Sequence, residues 1–218
     1  MPPADLPAAV FLTTVALHMA NLILVRHGQI KANKQGHWHG STDSPLTRQG
    51  RRQARRTARH IHEHFAPLQA IYSSPLERCR HTAEAIAAAV GLEVQVHEDL
   101  REYGIGEWEG LPFQLLQERH RFIEVATRDH DFAPPGGETL REVAARIVPA
   151  VQEIHARHGA DGRVLVVGHG AALAVALGTL LDQDPARWVQ YPFANCSLTE
   201  LVLSPAPYVN FFNATHHL

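Results

Sequence analysis

The 218-residue chain predicts an α/β fold, a three-layer α/β/α arrangement around a central, largely parallel mixed sheet. Two observations predict it. Short apolar runs, LILV at 22–25 and VLVV at 164–167, lead straight into the triplets Arg26-His27-Gly28 and Gly168-His169-Gly170. Runs of that length, apolar on both faces, suit strands buried in a parallel sheet. Segments of helical period lie between the runs, and strands alternating with helices indicate α/β architecture.

The first strand spans 21–25 and is followed by a polar loop, 28–46, punctuated by Gly36, Gly40 and Pro45. Thr47 caps a helix reaching about His64, whose apolar stripe is Ala54, Ala58, Ile61 and Phe65. Its other faces carry Arg48, Arg51, Arg52, Arg55, Arg56 and Arg59, a pattern that reads as a solvated surface. A second strand, 70–72, leads through Ser73-Ser74-Pro75 into a helix that ends at Gly91. Residues 94–96 alternate as a strand, 101–111 form a glycine-rich loop, and a helix runs from Pro112 to about Arg121. The APPGG turn at 133–137 precedes a long helix from about Thr139 to His158, which Pro149 is expected to kink. The strand 163–167 is followed by a small-residue helix, 171–181, and strands at 198–203 and 208–212 close the chain. No internal repeat or linker divides it, so 19–218 read as one domain. Residues 1–18 read as an extension outside the fold, with Met19 a candidate natural start.

Charge and composition narrow the partners. The formal net charge is -2, which calls for neither nucleic acid nor an anionic membrane. The apolar stretch 10–18 is too short to span a bilayer and lacks a basic flank, so it reads neither as a membrane span nor as a signal peptide. Two cysteines, Cys79 and Cys196, make no disulfide framework, and a reducing, cytoplasmic setting is expected. The oligomeric state is open, a homodimer included.

Ligands of open α/β sheets bind beyond the carboxyl ends of the strands. His27 and His169 lie there, and Ser73-Ser74 and the loop holding Glu102 occupy similar places. Phosphoryl transfer needs planar cationic forks around the phosphate, an in-line nucleophile and a proton donor for the leaving oxygen. A neutral imidazole serves as such a nucleophile. Arg26, His27, Arg78, Glu102 and His169 supply every part, with Arg78 in the first turn of its helix, where free amides also favour anions.

Six blocks in order, LILVRHGQIKAN, STDSPLTRQGRRQA, IYSSPLERCRHTAEAI, LREYGIGEWEG, PPGGETL and VLVVGHG, resemble the histidine phosphatase superfamily, in its phosphoglycerate-mutase-like branch. The resemblance covers nearly all of 21–218. It implies that His27 is the phosphorylated nucleophile, that Arg26, Arg78 and His169 line the phosphate pocket, that Glu102 is the proton donor, and that Asn33 helps to bind phosphate. His39-Gly40 stands where the family usually has Gln-Gly, so His39 is a substrate-contact position. His81 replaces a frequent glutamine, and the tail NATHHL has Ala214 where the family often has an acid.

His37 and His39 on a loop make a weak metal pattern, His60, His62 and His64 read as surface positions, and Cys79 reads as a packed residue. A non-catalytic module would be expected to lose His27, Arg78 or Glu102. A protein phosphatase acting on phosphohistidine would be shorter in the region covering the site, where Trp108, Phe113, Leu115 and Leu116 supply apolar side chains for lining or packing. The favoured function is a phosphomonoesterase acting on a small phosphorylated metabolite, without metal or other cofactor; the alternative is a phosphoglycerate mutase. A mutase must grip a carboxylate as well, yet 103–118 hold no lysine or arginine.

Overall fold

The computed structural model describes residues 21–158 and 162–218. The predicted 1–18 extension and Met19 lie outside the described residues. The strands are β1 (Asn21–Arg26), β2 (Ala70–Ser73), β3 (Val94–Val96), β4 (Arg163–Gly168), β5 (Leu198–Val202) and β6 (Tyr208–Ala214). They form one sheet in the order β3-β2-β4-β1-β5-β6. The pairs β3–β2, β2–β4 and β4–β1 are parallel, while β1–β5 and β5–β6 are antiparallel.

The helices are α1 (Lys31–Gln35), α2 (Arg48–His64), α3 (Glu77–Val90), α4 (Phe113–His120), α5 (Phe122–Arg128), α6 (Leu140–Ala156) and α7 (Gly170–Asp182). Two-residue alternation in β1 divides the core. Leu22 and Leu24 pack on the face covered by α6 and α7, Ile23 and Val25 on the face covered by α2 and α3. That is the predicted three-layer arrangement. Thr47 caps α2 by accepting a bond from the Gly50 amide, as its position predicts. All six arginines of α2 are exposed. Helix α6 runs through Pro149, and its start is a capping box in which Thr139 and Glu142 satisfy each other's amides.

Two elements depart from expectation. The loop predicted over 28–46 contains α1, whose five residues are too few to show an apolar period. A separate helix, α5, follows α4 at once, and the break is Arg121, a non-glycine residue at φ 49°. No helix among the described residues is long and apolar enough to cross a membrane. Both cysteines are free and buried.

Candidate active site

Strand register builds the site. Parallel pairing of β1 with β4 sets Arg26 opposite Gly168, so the next residues, His27 and His169, emerge side by side past the sheet's carboxyl edge. Their rings lie edge to face with centroids 5.3 Å apart. Ser73 pairs with Val167, which sets Ser74 next to the same edge. The glycine after His27 has a steric cause. A Cβ on Gly28 would sit 2.7 Å from the Gly50 carbonyl oxygen, because the end of β1 runs against the start of α2. Gly170 serves the neighbouring side chain, since a Cβ there would stand 3.2 Å from Arg26 Nε.

His27 is buried, with Nδ1 2.8 Å from the Gly28 carbonyl. A carbonyl only accepts, so in the neutral ring Nδ1 carries the hydrogen and Nε2 keeps its lone pair. Burial holds the imidazole well below its usual value, and the positive charges of Arg78 and Arg26 push the same way. His169 has the opposite tautomer. Arg78 Nε donates to its Nδ1 at 3.2 Å, leaving Nε2–H to meet Ser74 Oγ at 2.7 Å. It too is held well below the usual value by burial, then by Arg78. Cys79 Sγ donates to the Gly168 carbonyl and touches the same ring, and burial pushes its thiol up, so it is a packed group here.

Arg78 is 0% exposed. Its Nη1 donates to the Thr42 carbonyl, and its Nη2 to those of His39 and Gly40. Arg26 donates through Nη1 to the Phe193 carbonyl at 2.5 Å, while its buried Nε has no partner among the described residues. Asn33 lies in α1. Its Oδ1 accepts from the Ile30 amide and from Asn195 Nδ2, which leaves its own amide hydrogens for a ligand. Glu102, 8% exposed, accepts from the amides of Tyr103, Ala171 and Ala172, the last two in the first turn of α7.

A cavity of about 570 Å³ opens over this edge, with Arg26, His27, Asn33, His39 and Glu102 on its wall. Arg78 and His169 are not on that wall; they stand directly behind it, in contact with each other. The structure therefore brings all seven predicted positions to one place, five on the surface and two beneath. His39 Nδ1 lies 2.8 Å from Ser44 Oγ. His37 also lines the cavity, and no group of three His, Cys, Asp or Glu able to hold a metal exists among the described residues.

Sequence reasoning missed three supports. Glu109 accepts from the amides of Gly40, Ser41, Thr42 and Ile105, and so clasps the loop whose carbonyls hold Arg78. Thr82 Oγ1 accepts from the Gly28 amide and donates to the Arg78 carbonyl. Asn195 ties the His27 carbonyl to Asn33. Thr82 had a signal, being four residues after Arg78 on one helix face; Asn195 had none.

Known proteins carry the same architecture. "Uncharacterized phosphatase PhoE" of Bacillus subtilis is 34% identical over 167 residues, 77% of this chain and 80% of the relative. "Probable phosphoglycerate mutase GpmB" of Yersinia enterocolitica is 32% identical over 193 residues, 88% of each. The solved structure of mycobacterial glucosyl-3-phosphoglycerate phosphatase with VO3 superposes with a TM-score of 0.81 at 32% identity, covering 90% of this chain and 100% of the other. The family model described as "Histidine phosphatase superfamily (branch 1)" matches residues 22–210. Because that match runs from β1 into β6 and takes in every strand edge that carries the site, the chain belongs to the histidine phosphatase superfamily, branch 1.

Proposed function

We propose that the protein is a phosphoric monoester hydrolase that works through a phosphohistidine at His27 and needs no metal ion. The observation that carries this reading is the His27 tautomer: Nδ1–H is fixed on the Gly28 carbonyl, which leaves a neutral Nε2 lone pair on a residue that lines the cavity together with Arg26. In the first step the Nε2 lone pair attacks phosphorus, the P–O bond to the alcohol breaks, and Glu102 delivers a proton to the departing oxygen. In the second step water attacks phosphorus, Glu102 recovers a proton from it, and the P–N bond breaks to release inorganic phosphate. Arg26 and Arg78 offset the phosphoryl charge, with the Asn33 amide as a further donor and His169 as the wall behind His27. His39 contacts the alcohol side of the ester. Two arginines meet the charge requirement that a metal would otherwise serve.

Phosphatase names among the relatives support the hydrolase reading. The mutase alternative would pass the phosphoryl group to a hydroxyl of a bound phosphoglycerate and would need cations for its carboxylate. Arg26 is the sole lysine or arginine among the described residues that line the cavity, which favours water as the acceptor.

The test uses two variants and two leaving groups. His27→Ala should abolish turnover and the acid-labile phosphoenzyme trapped from wild type. Glu102→Gln should slow alkyl phosphates by about 10²–10⁴-fold, and p-nitrophenyl phosphate much less, because its leaving group needs little protonation. Label trapped on another residue would reject the nucleophile. Equal losses on both esters would reject Glu102 as the proton donor.

A further inference from the structure

The cavity is far larger than a phosphoryl group requires. Its volume of about 570 Å³ lies within the roughly 300–1,000 Å³ of sites that enclose whole organic ligands. Beyond the phosphate end, its wall is mostly apolar, with Trp38, Phe113, Trp188 and Val189 on it and His37 and Tyr191 as polar members. Phe113 is 39% exposed and Val189 45%, although both border the cavity. Large apolar side chains left wet at a cavity mouth mark a place that a ligand covers. Phe113 is not a stray surface residue. Its ring stacks on Trp38 at 6.1 Å and 19°, and Trp38 in turn meets Trp188 edge to face at 6.3 Å. Backbone pairing of 36–38 with 110–113 fixes this aromatic wall. The indole Nε1 of Trp188 is buried without a partner among the described residues. Arg26 alone supplies a lysine or arginine charge among the described lining residues, and the phosphoryl group takes it.

From this wall we infer the substrate class, an inference that rests on the phosphatase reading. The alcohol half of the ester is uncharged and carries an aromatic or similarly broad apolar ring, which lies against Phe113 and Trp38. Phosphorylated carboxylates are poor substrates, because their carboxylate would enter an apolar wall with no fixed cation to meet it.

Benzyl phosphate and 4-carboxybenzyl phosphate test this, since their leaving alcohols are alike and only the ring charge differs. With the full chain, kcat/KM should favour benzyl phosphate roughly tenfold or more, mostly through KM. Phe113→Ala should raise KM for benzyl phosphate several-fold, and by clearly more than it raises KM for methyl phosphate. Phe113→Arg should shift the preference toward the carboxylated ester. Equal rates, a preference for 4-carboxybenzyl phosphate, or turnover of methyl phosphate with neither benzyl ester would each overturn the inference. Failure on every ester, p-nitrophenyl phosphate included, would strike the phosphatase reading itself. Calorimetric binding of the two benzyl esters then reads the pocket alone, and no preference for benzyl phosphate overturns the substrate class.

Discussion

Glu109 is not among the residues that line the cavity, yet Glu109→Gln should impair turnover. Its carboxylate accepts four backbone amides: Gly40 at 2.9 Å and Thr42 at 3.2 Å on one oxygen, Ser41 at 2.9 Å and Ile105 at 3.3 Å on the other. Glutamine keeps one acceptor oxygen and turns an NH₂ toward the other two amides, so two bonds become donor-to-donor contacts. A hydrogen bond to a charged group contributes about 1.5–3 kcal/mol, and the exposure of this loop discounts that. A stability loss of about 2–3 kcal/mol follows. The functional loss should be larger than stability alone implies. The carbonyls of His39, Gly40 and Thr42 orient the Arg78 guanidinium, and Arg78 Nε holds His169. A displacement of about 1 Å at such a group costs up to roughly 10²-fold in rate. Steady-state kinetics with p-nitrophenyl phosphate should show kcat down about 10–100-fold, with the inhibition constant for inorganic phosphate raised in parallel. A folded Glu109→Gln protein with wild-type kcat and unchanged phosphate inhibition would refute the chain from Glu109 through the loop to Arg78.

Two more predictions follow from the same site. His27 and His169 stay neutral when folded, because burial and then Arg78 hold both well below the ordinary value near 6.5. Below pH 6.5 the unfolded chain takes up protons that the folded chain refuses, so stability falls with pH across that window, by up to about 1.4 kcal/mol per pH unit for each histidine. Urea midpoints should therefore drop between pH 7.5 and 5.5, and an equal or higher midpoint at pH 5.5 would show that the rings are not held neutral. Activity should survive exhaustive chelation, and loss with EDTA that added metal restores would overturn the metal-free mechanism.

Periodicity made most of the fold legible before any coordinates. The runs 22–25 and 164–167 are apolar on both faces because each lies between two helical layers. α1 and α5 were illegible for a physical reason. One is held by the Asn33 cap on Ile30 and has a single buried residue, Ala32. The other begins at a left-handed arginine where no glycine or proline marks a break. In the site, His27, His169 and Arg78 were legible because strand ends and helix starts are where such groups act. Glu109 lies in the block LREYGIGEWEG, but its partners are backbone amides, which leave no trace in side-chain identity.

Register explains why the Arg-His-Gly triplet serves both the fold and the chemistry. A strand with one buried face is held in register by its apolar alternation, but β1 is apolar on both faces, so a slip of one residue would exchange Leu22 and Leu24 for Ile23 and Val25 at little cost. The ends of β1 resist that slip. Asn21 donates to the Gly162 carbonyl at one end, and at the other the His27 amide donates to the Gly168 carbonyl. Arg26 is held through Nη1 on Phe193, and a slip would drive its buried charge away from that carbonyl and from Glu102. Gly28 leaves room for the Gly50 carbonyl, whose oxygen would stand only 2.7 Å from a Cβ at this position. The contacts that forbid a slip of β1 are thus the contacts that aim His27, which ties the position of the nucleophile to the correct pairing of the two central strands.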